Sequence, residues 1–593
     1  MKNPWSAATA AAIFCACALC FGYEMDPARY IPIDQVKPGM EGWGLTVLDG
    51  SGIKKFPLKV LSIVRKAEPG VDFILVVATD EESKYIGSVQ GCSGSPVYFD
   101  GRLAGALAAA WDQAVDPLYL VRPIQDMLKI EDFIDSPQPA APLMEARDLM
   151  DLPAADQKYL TYLQKTFSFG RSVLPLTASL PDSALVSIEP FAQALGLRIV
   201  SGSAAGSSPA DSCDSDQMHL IPGGVLGIPL CSGDISMSAV GTVTEVIGDR
   251  VFGLGHSMLG YGAVQLPMSA GTIHTTIARR SISFKYASTG PILGTLIMDG
   301  ASGVYGKMGQ NPPLLPLHIR VERQDIRSSR DFYCKTAVNP LLTPLLLRLA
   351  IQGASRVYGD FPPEHSLEYD LAIRIAGHDP IQFSNVSTDS GAQAPAAEIS
   401  ALTSLLMTNP YQNVEIEGID VSLRFASRTR QAQIWSAELS ETKVKPGQWI
   451  TARVTLQSYR MEKTVLPVQL QIPMTVKPGP CTLQIFSRDE FLGFQQKAAP
   501  QRFVDEDMPS MLAVVRRILQ TPRNHLTAVL LLGPGGIAIR DKELPNLPPS
   551  RAVLLQDTRR FTPAVVMQQW VQTQTETDLV PSGNVTVQLI VEP

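Results

Sequence analysis

The stretch "GCSGSPVYFDGRLAG", residues 91–105, constrains the fold of this chain more than any other. Asp100-Gly101 separates two apolar segments, "VYF" and "RLAGALAAAW", and a two-residue Asp-Gly link takes up the left-handed backbone that closes a tight β-hairpin. Placed directly behind a Gly/Ser turn, such a hairpin commits its region to β-structure. Just upstream, "FILVVA" (73–78) is a continuous apolar run of strand length. The same grammar returns in "AVGTVTEVIGDRVFGLGH", with Gly248-Asp249 as the turn, and in "PILGTLIMDGASGVYGKMG", a strand followed by glycine-rich turns. A mainly β, multi-domain protein is expected, and its 45 glycines and 46 prolines suit the many turns.

A chain of 593 residues is too long for one core and implies about three to five domains. The expected organisation is a β-rich unit over 30–135, a connector over 136–216, a second β-rich unit over 217–330, an α+β module over 331–431 and a C-terminal β-sandwich-like region over 432–593. In the first unit, "RPIQDMLKIEDFI" predicts a short helix with Pro123 near its first turn. The connector ends in "SGSAAGSSPADSCDSD" (201–216), which has the composition of a flexible linker. In the α+β module, "VNPLLTPLLLRLAIQGASR" and "AAEISALTSLLM" predict helices. Farther on, "WITARVTLQ" and "PVQLQIP" alternate apolar with polar residues, as half-exposed sandwich strands do. A helix capped by Ser510 and the strand "AVLLLG" form a small α/β tail, and "LLGPGGIAIRD" reads as a hairpin turn without the pattern of a phosphate loop.

Composition excludes some functions. A hydrophobic fraction of 45% with 18% charged residues is globular, and a net charge of −7 with no basic run argues against nucleic-acid binding. Residues 1–22 carry Lys2 and then an apolar run from Ala7 to Phe21, the layout of a signal peptide; an uncleaved anchor is the alternative. An exported protein of a bacterial envelope, periplasmic or extracellular, is therefore expected. Of eight cysteines, three lie in this leader. The other five are too dispersed for a disulfide framework or a zinc site, with Cys213–Cys231 as one optional pair. No cofactor or metal is expected.

The chemistry concentrates on Ser93. A serine hydroxyl becomes a nucleophile when a base takes its proton and fixed N–H groups hold the oxyanion. Gly91 and Gly94 let the backbone turn sharply enough to aim the amides of Gly91 and Ser93 at one point. On these residues alone, a plain Gly/Ser turn and a nucleophile turn both stand. Among the seven histidines, His256 in "FGLGHSMLGYG" follows a strand and is framed by glycines, so it is the candidate base; an ordinary loop histidine is the other reading. His274 and His318, flanked by apolar residues, read as core or edge histidines. An esterase elbow is not matched, because "GCSGS" has Ser95 where a second glycine belongs.

Three segments together resemble the sporulation stage IV B (SpoIVB-type) serine peptidases. "PGMEGWGLTVLDGSGIKKFPLKVLSIV" with "ATD" and "IGSVQGCSGSPVYFDGRLAGAL" is similar to that family's nucleophile half, although its motif carries Met at the position of Cys92. "GIPLCSGDISMSAVGTVTEVIGDRVFGLGH" is similar to its histidine half, and "GPILGTLIMDGASGVYGKMG" to the glycine-rich stretch that follows. The resemblance covers 30–135 and 220–322. It implies a trypsin-like double β-barrel, Ser93 as nucleophile, His256 as general base, Asp80 as the acid, and Gly91 and Ser93 as the oxyanion hole. The chain is shorter than the family between Asp80 and Ser93, which leaves Asp72 and Asp100 as alternatives for the acid. The halves also come in the reverse order, serine before histidine, as in a circular permutation. The implied activity is that of an exported serine endopeptidase, acting on protein or peptide substrates or processing itself. The alternative is an inactive peptidase-fold module that binds an envelope partner through the C-terminal region.

Overall fold

A computed structural model describes residues 25–593 except 69, 112, 134–143, 167–173, 187, 203–218, 459–461, 540–541, 546 and 556–563. The leader expected over 1–22, Cys213 and most of the expected linker lie outside the described residues. Among the described residues no helix is long and apolar enough to cross a membrane.

The chain is mainly β. Its first unit holds β1 (Glu41–Thr46), β2 (Lys54–Glu68), β3 (Val71–Ala78), β4 (Val89–Gln90), β5 (Pro96–Phe99), β6 (Arg102–Ala110) and β7 (Leu118–Pro123). Six of these close into a barrel in the order β1-β2-β3-β7-β6-β5. The hairpin read from the sequence is its β5–β6 edge: Phe99 faces Arg102, and both Asp100 (φ +51°) and Gly101 (φ +74°) are left-handed. Val60, Ile74, Val76, Val97, Phe99 and Val121 fill the inside. The helix expected after β7 runs from Ile124 to Leu128 and continues as a 3-10 turn to Phe133, with Pro123 as the residue before it.

The expected connector is largely folded. A helix over Leu152–Thr166 precedes β8 (Leu174–Ala178) and β9 (Leu197–Ser201), which pair in parallel, and β8 extends the next sheet through β11. That sheet contains β10 (Val225–Gly233), β11 (Met237–Ile247), β12 (Arg250–Gly253), β13 (Gly262–Ile277), β14 (Ser283–Gly300) and β15 (Gly303–Met308). Their pairings run β10-β13-β14-β15-β12-β11 and return to β10, so these six strands form a closed ring.

The same sheet passes the boundary expected at 330 without a break. β16 (Leu314–Arg323) and β17 (Ser328–Ala337) pair with each other; β17 also pairs with β10, and β16 with β20 (Ile416–Ala426). β18 (Ser366–Ile375) and β19 (His378–Ser387) complete it. The expected helices, Leu342–Ser355 and Gln393–Thr408, are buried along almost their whole length against this sheet.

The C-terminal region is two sheets around one core. Ile434, Val454, Leu456 and Val468 from one sheet meet Leu483, Ile485, Leu526 and Leu589 from the other. Three expectations are corrected here. The helix Met508–Leu519 starts at an Asp507 cap, with Ser510 three residues in as the reciprocal member of a capping box. Its apolar stripe packs into the central core, and the strand after it is an inner strand of the sandwich, so they do not form a separate tail. Of "LLGPGGIAIRD", the glycines lie inside the long strand His525–Ile539 as bulges against the strand Ala564–Glu576, with Gly533 and Gly536 left-handed, while the end of the stretch forms the expected hairpin, Ile537–Ile539 pairing antiparallel with Lys542–Leu544.

A buried ion pair ties the α+β module to the chain after 520. Glu398, 1% exposed, accepts from Arg523 Nη2 at 2.8 Å and from the Tyr369 hydroxyl at 2.8 Å. Arg523→Met strands that carboxylate without its cation. Urea unfolding of the variant should show a loss of about 3–5 kcal/mol.

Candidate active site

The two β units pack directly on each other. Tyr30, Leu103, Ile124 and Met127 of the first share a cluster with Phe252, Met298 and Tyr305 of the second; Val47 packs with Val225, Val240 and Ile273. The Ser93 turn and the loop after β12 meet at this seam.

The Ser93 turn is shaped by two left-handed glycines, Gly91 (φ +95°) and Gly94 (φ +94°). Cys92 N donates to Val89 O at 3.2 Å, Gly94 N to Leu107 O at 2.8 Å, and both Ser95 N and Ser95 Oγ donate to Cys92 O. These bonds leave out the amides of Gly91 and Ser93, and among the described residues Ser93 Oγ likewise makes no hydrogen bond. β11 grips the turn from the other unit. Thr242 N donates to Ser93 O at 2.8 Å, Thr242 Oγ1 to Gly91 O at 2.9 Å, and Thr244 Oγ1 to Gly94 O at 2.7 Å. The approach is so close that a Cβ on Gly94 would overlap the carbonyl oxygen of Thr242 and the amide of Leu254.

His256 reaches the same place through Leu254 (φ +65°) and Gly255 (φ +71°), whose backbone lies against Ala106 and Leu107 of β6. Its Nδ1 sits 2.7 Å from Ser257 O. A carbonyl only accepts, so Nδ1 carries the proton and Nε2 holds the lone pair. Nε2 is buried and has no hydrogen-bond partner. Burial lowers the pKa of this ring; the Ser257 contact opposes that shift, and the nearby Arg122 guanidinium adds to it. Ser93 and His256 line one cavity of about 50 Å³, together with Gly91, Cys92, Leu107, Ala108, Tyr119 and others; apart from the imidazole, none of the lining side chains is a charged type.

Asp80 is placed elsewhere. It caps the helix Glu81–Ile86, accepting from Ser83 N at 2.9 Å, while its Oδ2 is buried without a hydrogen-bond partner. It does not line the cavity, and the hydrogen bond described for His256 is to Ser257. Asp72 pairs with Arg65 and the Lys66 amide, and Asp100 is exposed in the hairpin turn. His274 bonds Ser288, and His318 bonds Asp331, both on strands away from the cavity.

Sequence reasoning missed four residues. Asp299, 1% exposed, accepts from Met258 N and Leu259 N at 2.6 Å and from Tyr261 N at 3.4 Å, and so holds the loop that follows His256. Its signal was present in "IMDGASG", an aspartate inside a glycine-rich turn. Thr242, Thr244 and Lys285 carry no such signal, because their alignment with the Ser93 turn arises only from packing. Neither a family model, a curated protein nor a solved structure matches this chain.

Burial raises the Asp299 carboxyl to about 6 although the loop amides favour its charged form. A carboxyl whose folded pKa exceeds its unfolded value of about 3.9 stabilises the fold fully below that value, and the contribution is lost as pH rises through 6. The melting-temperature difference between the wild type and Asp299→Asn should therefore shrink from pH 4 to pH 7. A difference that grows over this range would contradict the assignment.

Proposed function

We propose that this protein is a serine endopeptidase of the SpoIVB type, with the serine and histidine halves permuted on a trypsin-like pair of barrels. One observation carries the reading: the unpartnered Nε2 of a neutral His256 and the unbonded hydroxyl of Ser93 line the same cavity. In the proposed reaction Ser93 Oγ attacks a peptide carbonyl carbon while Nε2 takes the hydroxyl proton. The free amides of Gly91 and Ser93 receive the negative oxygen. Collapse of the tetrahedral intermediate breaks the C–N bond; the imidazolium gives its proton to the leaving amine, and an acyl-enzyme remains. Water, deprotonated by the same ring, then releases the acid. Ser257 O fills the orienting role that a carboxylate has in the usual triad, holding Nδ1–H and so keeping the lone pair on Nε2. The Gly91–Ser93 turn, Leu107, Ala108 and Tyr119 make a narrow and uncharged wall, which suits a small neutral side chain next to the scissile bond.

The second reading is a non-catalytic module on the same scaffold, binding an envelope partner. It draws on the fact that the described hydrogen bond of His256 is to a backbone carbonyl and not to a carboxylate.

A fluorophosphonate probe separates the two. The mature protein should label at Ser93, Ser93→Ala should not label, and His256→Ala should slow labelling at least about 100-fold. Asp80→Asn should change the rate less than about 3-fold, far below the loss of about 10⁴ that follows removal of a true triad carboxylate. The lowered pKa of His256 keeps the base unprotonated, so the labelling rate should hold its plateau down past pH 6.5 and fall only below it. A folded wild type that shows no labelling favours the binding module.

A further inference from the structure

Behind the Ser93 turn lies a buried lysine that this mechanism does not use. Lys285 on β14 is 1% exposed, and among the described residues no carboxylate is bonded to it. It stands one residue past the short parallel ladder in which Ser283 pairs with Val89 and Phe284 with Gln90, so the strand delivers it to the underside of Gly91. Its stem packs there: a Cβ on Gly91 would lie 3.1–3.2 Å from Lys285 Cβ, Cγ and Cδ.

The hydrogen bonds around Nζ fix the direction in which each neighbouring hydroxyl points. Nζ is 2.8 Å from Thr46 Oγ1 and 3.3 Å from Thr242 Oγ1. The Thr242 hydroxyl donates its own proton to Gly91 O, and the Thr46 hydroxyl donates to Cys92 Sγ at 3.7 Å. Both hydroxyls must therefore accept from Nζ. Two hydroxyls, one from each β unit, converge as acceptors on this one buried nitrogen. Burial lowers the pKa of this amine, and a negative charge forming nearby favours its protonated form.

We infer that Lys285 is a positioning residue of the Ser93 site: through Thr242 and Gly91 O it sets the orientation of the turn bearing the two free amides, and its stem underlies Gly91, which carries one of them. The inference rests on the proposed nucleophilic role of Ser93. It also assigns a function to the odd provenance of the three groups. Thr46 belongs to the first barrel, Thr242 and Lys285 to the second ring, so the turn is competent only when the two units are closed on each other.

The test measures fluorophosphonate labelling of the full-length mature protein, separating the maximal rate from the half-saturating concentration. In this reaction the Ser93 Oγ–P bond forms, the P–F bond breaks, fluoride leaves and His256 takes the proton. Lys285→Met keeps the stem against Gly91 and removes the amine. It should lower the maximal rate at least about tenfold, with the half-saturating concentration unchanged, since only charge developing in the transition state is affected. Thr242→Val breaks the link to Gly91 O and keeps the lysine; it should lower the same rate by a smaller factor and remains decisive if Lys285→Met does not fold. Folded variants that label at the wild-type maximal rate overturn the role of Lys285 and leave the peptidase reading intact. Absence of labelling in the wild type itself overturns both.

Discussion

The grip of β11 on the Ser93 turn is the contact on which the rest of the site depends. Three hydrogen bonds, two of them from threonine hydroxyls, join Thr242 and Thr244 to the carbonyls of Gly91, Ser93 and Gly94. Buried backbone carbonyls need partners, and here the partners come from the other β unit. The consequence is geometric. The carbonyls point away from the cavity, and the amides of Gly91 and Ser93 are left without partners beside it. Gly94 permits this because nothing larger than hydrogen fits between the turn and β11.

The second constraint is the seam itself. Apolar clusters on both sides of the turn, around Tyr30 and Phe252 and around Val47 and Val240, close the two units over a wide contact. Arg29 adds an ion pair to the buried Glu245 of β11. A loop histidine alone would be solvated and mobile. Packed through Gly255 onto β6, and held downstream by Asp299, the His256 ring keeps one nitrogen on Ser257 O and the other free. The order of the halves along the chain is immaterial to this, since what matters is that each owns its strands and that the seam is buried.

Local patterns were legible wherever a single element answers to its own residues. The Asp100-Gly101 hairpin, the Gly248-Asp249 turn, the two apolar helices of the α+β module and the alternating strands after 448 all form as their spacing dictates. Differences fall where a distant strand decides, or where two nearby residues compete for one role. The glycines of "LLGPGG" fit a turn equally well, and only the facing strand Ala564–Glu576 makes them bulges. Ser510 has the chemistry of a cap, yet Asp507 three residues earlier satisfies the same amides and the helix starts there. Asp80 lies at the right kind of spacing for an acid, and the nearest unsatisfied donors are those of the helix it precedes.

By itself the sequence determined the β character of both units, the strained turns at Gly91, Gly94 and Gly255, and the pair of side chains, Ser93 and His256, worth bringing together. Glycine and hairpin chemistry act over a few residues, so they are written locally. Tertiary structure alone decided that Ser93 and His256 share a cavity, that Ser257 O and not Asp80 receives the Nδ1 proton, and that Thr46, Thr242 and Lys285 meet behind the turn. Lys285 shows why. Its neighbour Phe284 is buried, so simple alternation would send the lysine to solvent. The strand is enclosed on both faces at the seam, and the amine finds its acceptors more than 40 residues away in the chain.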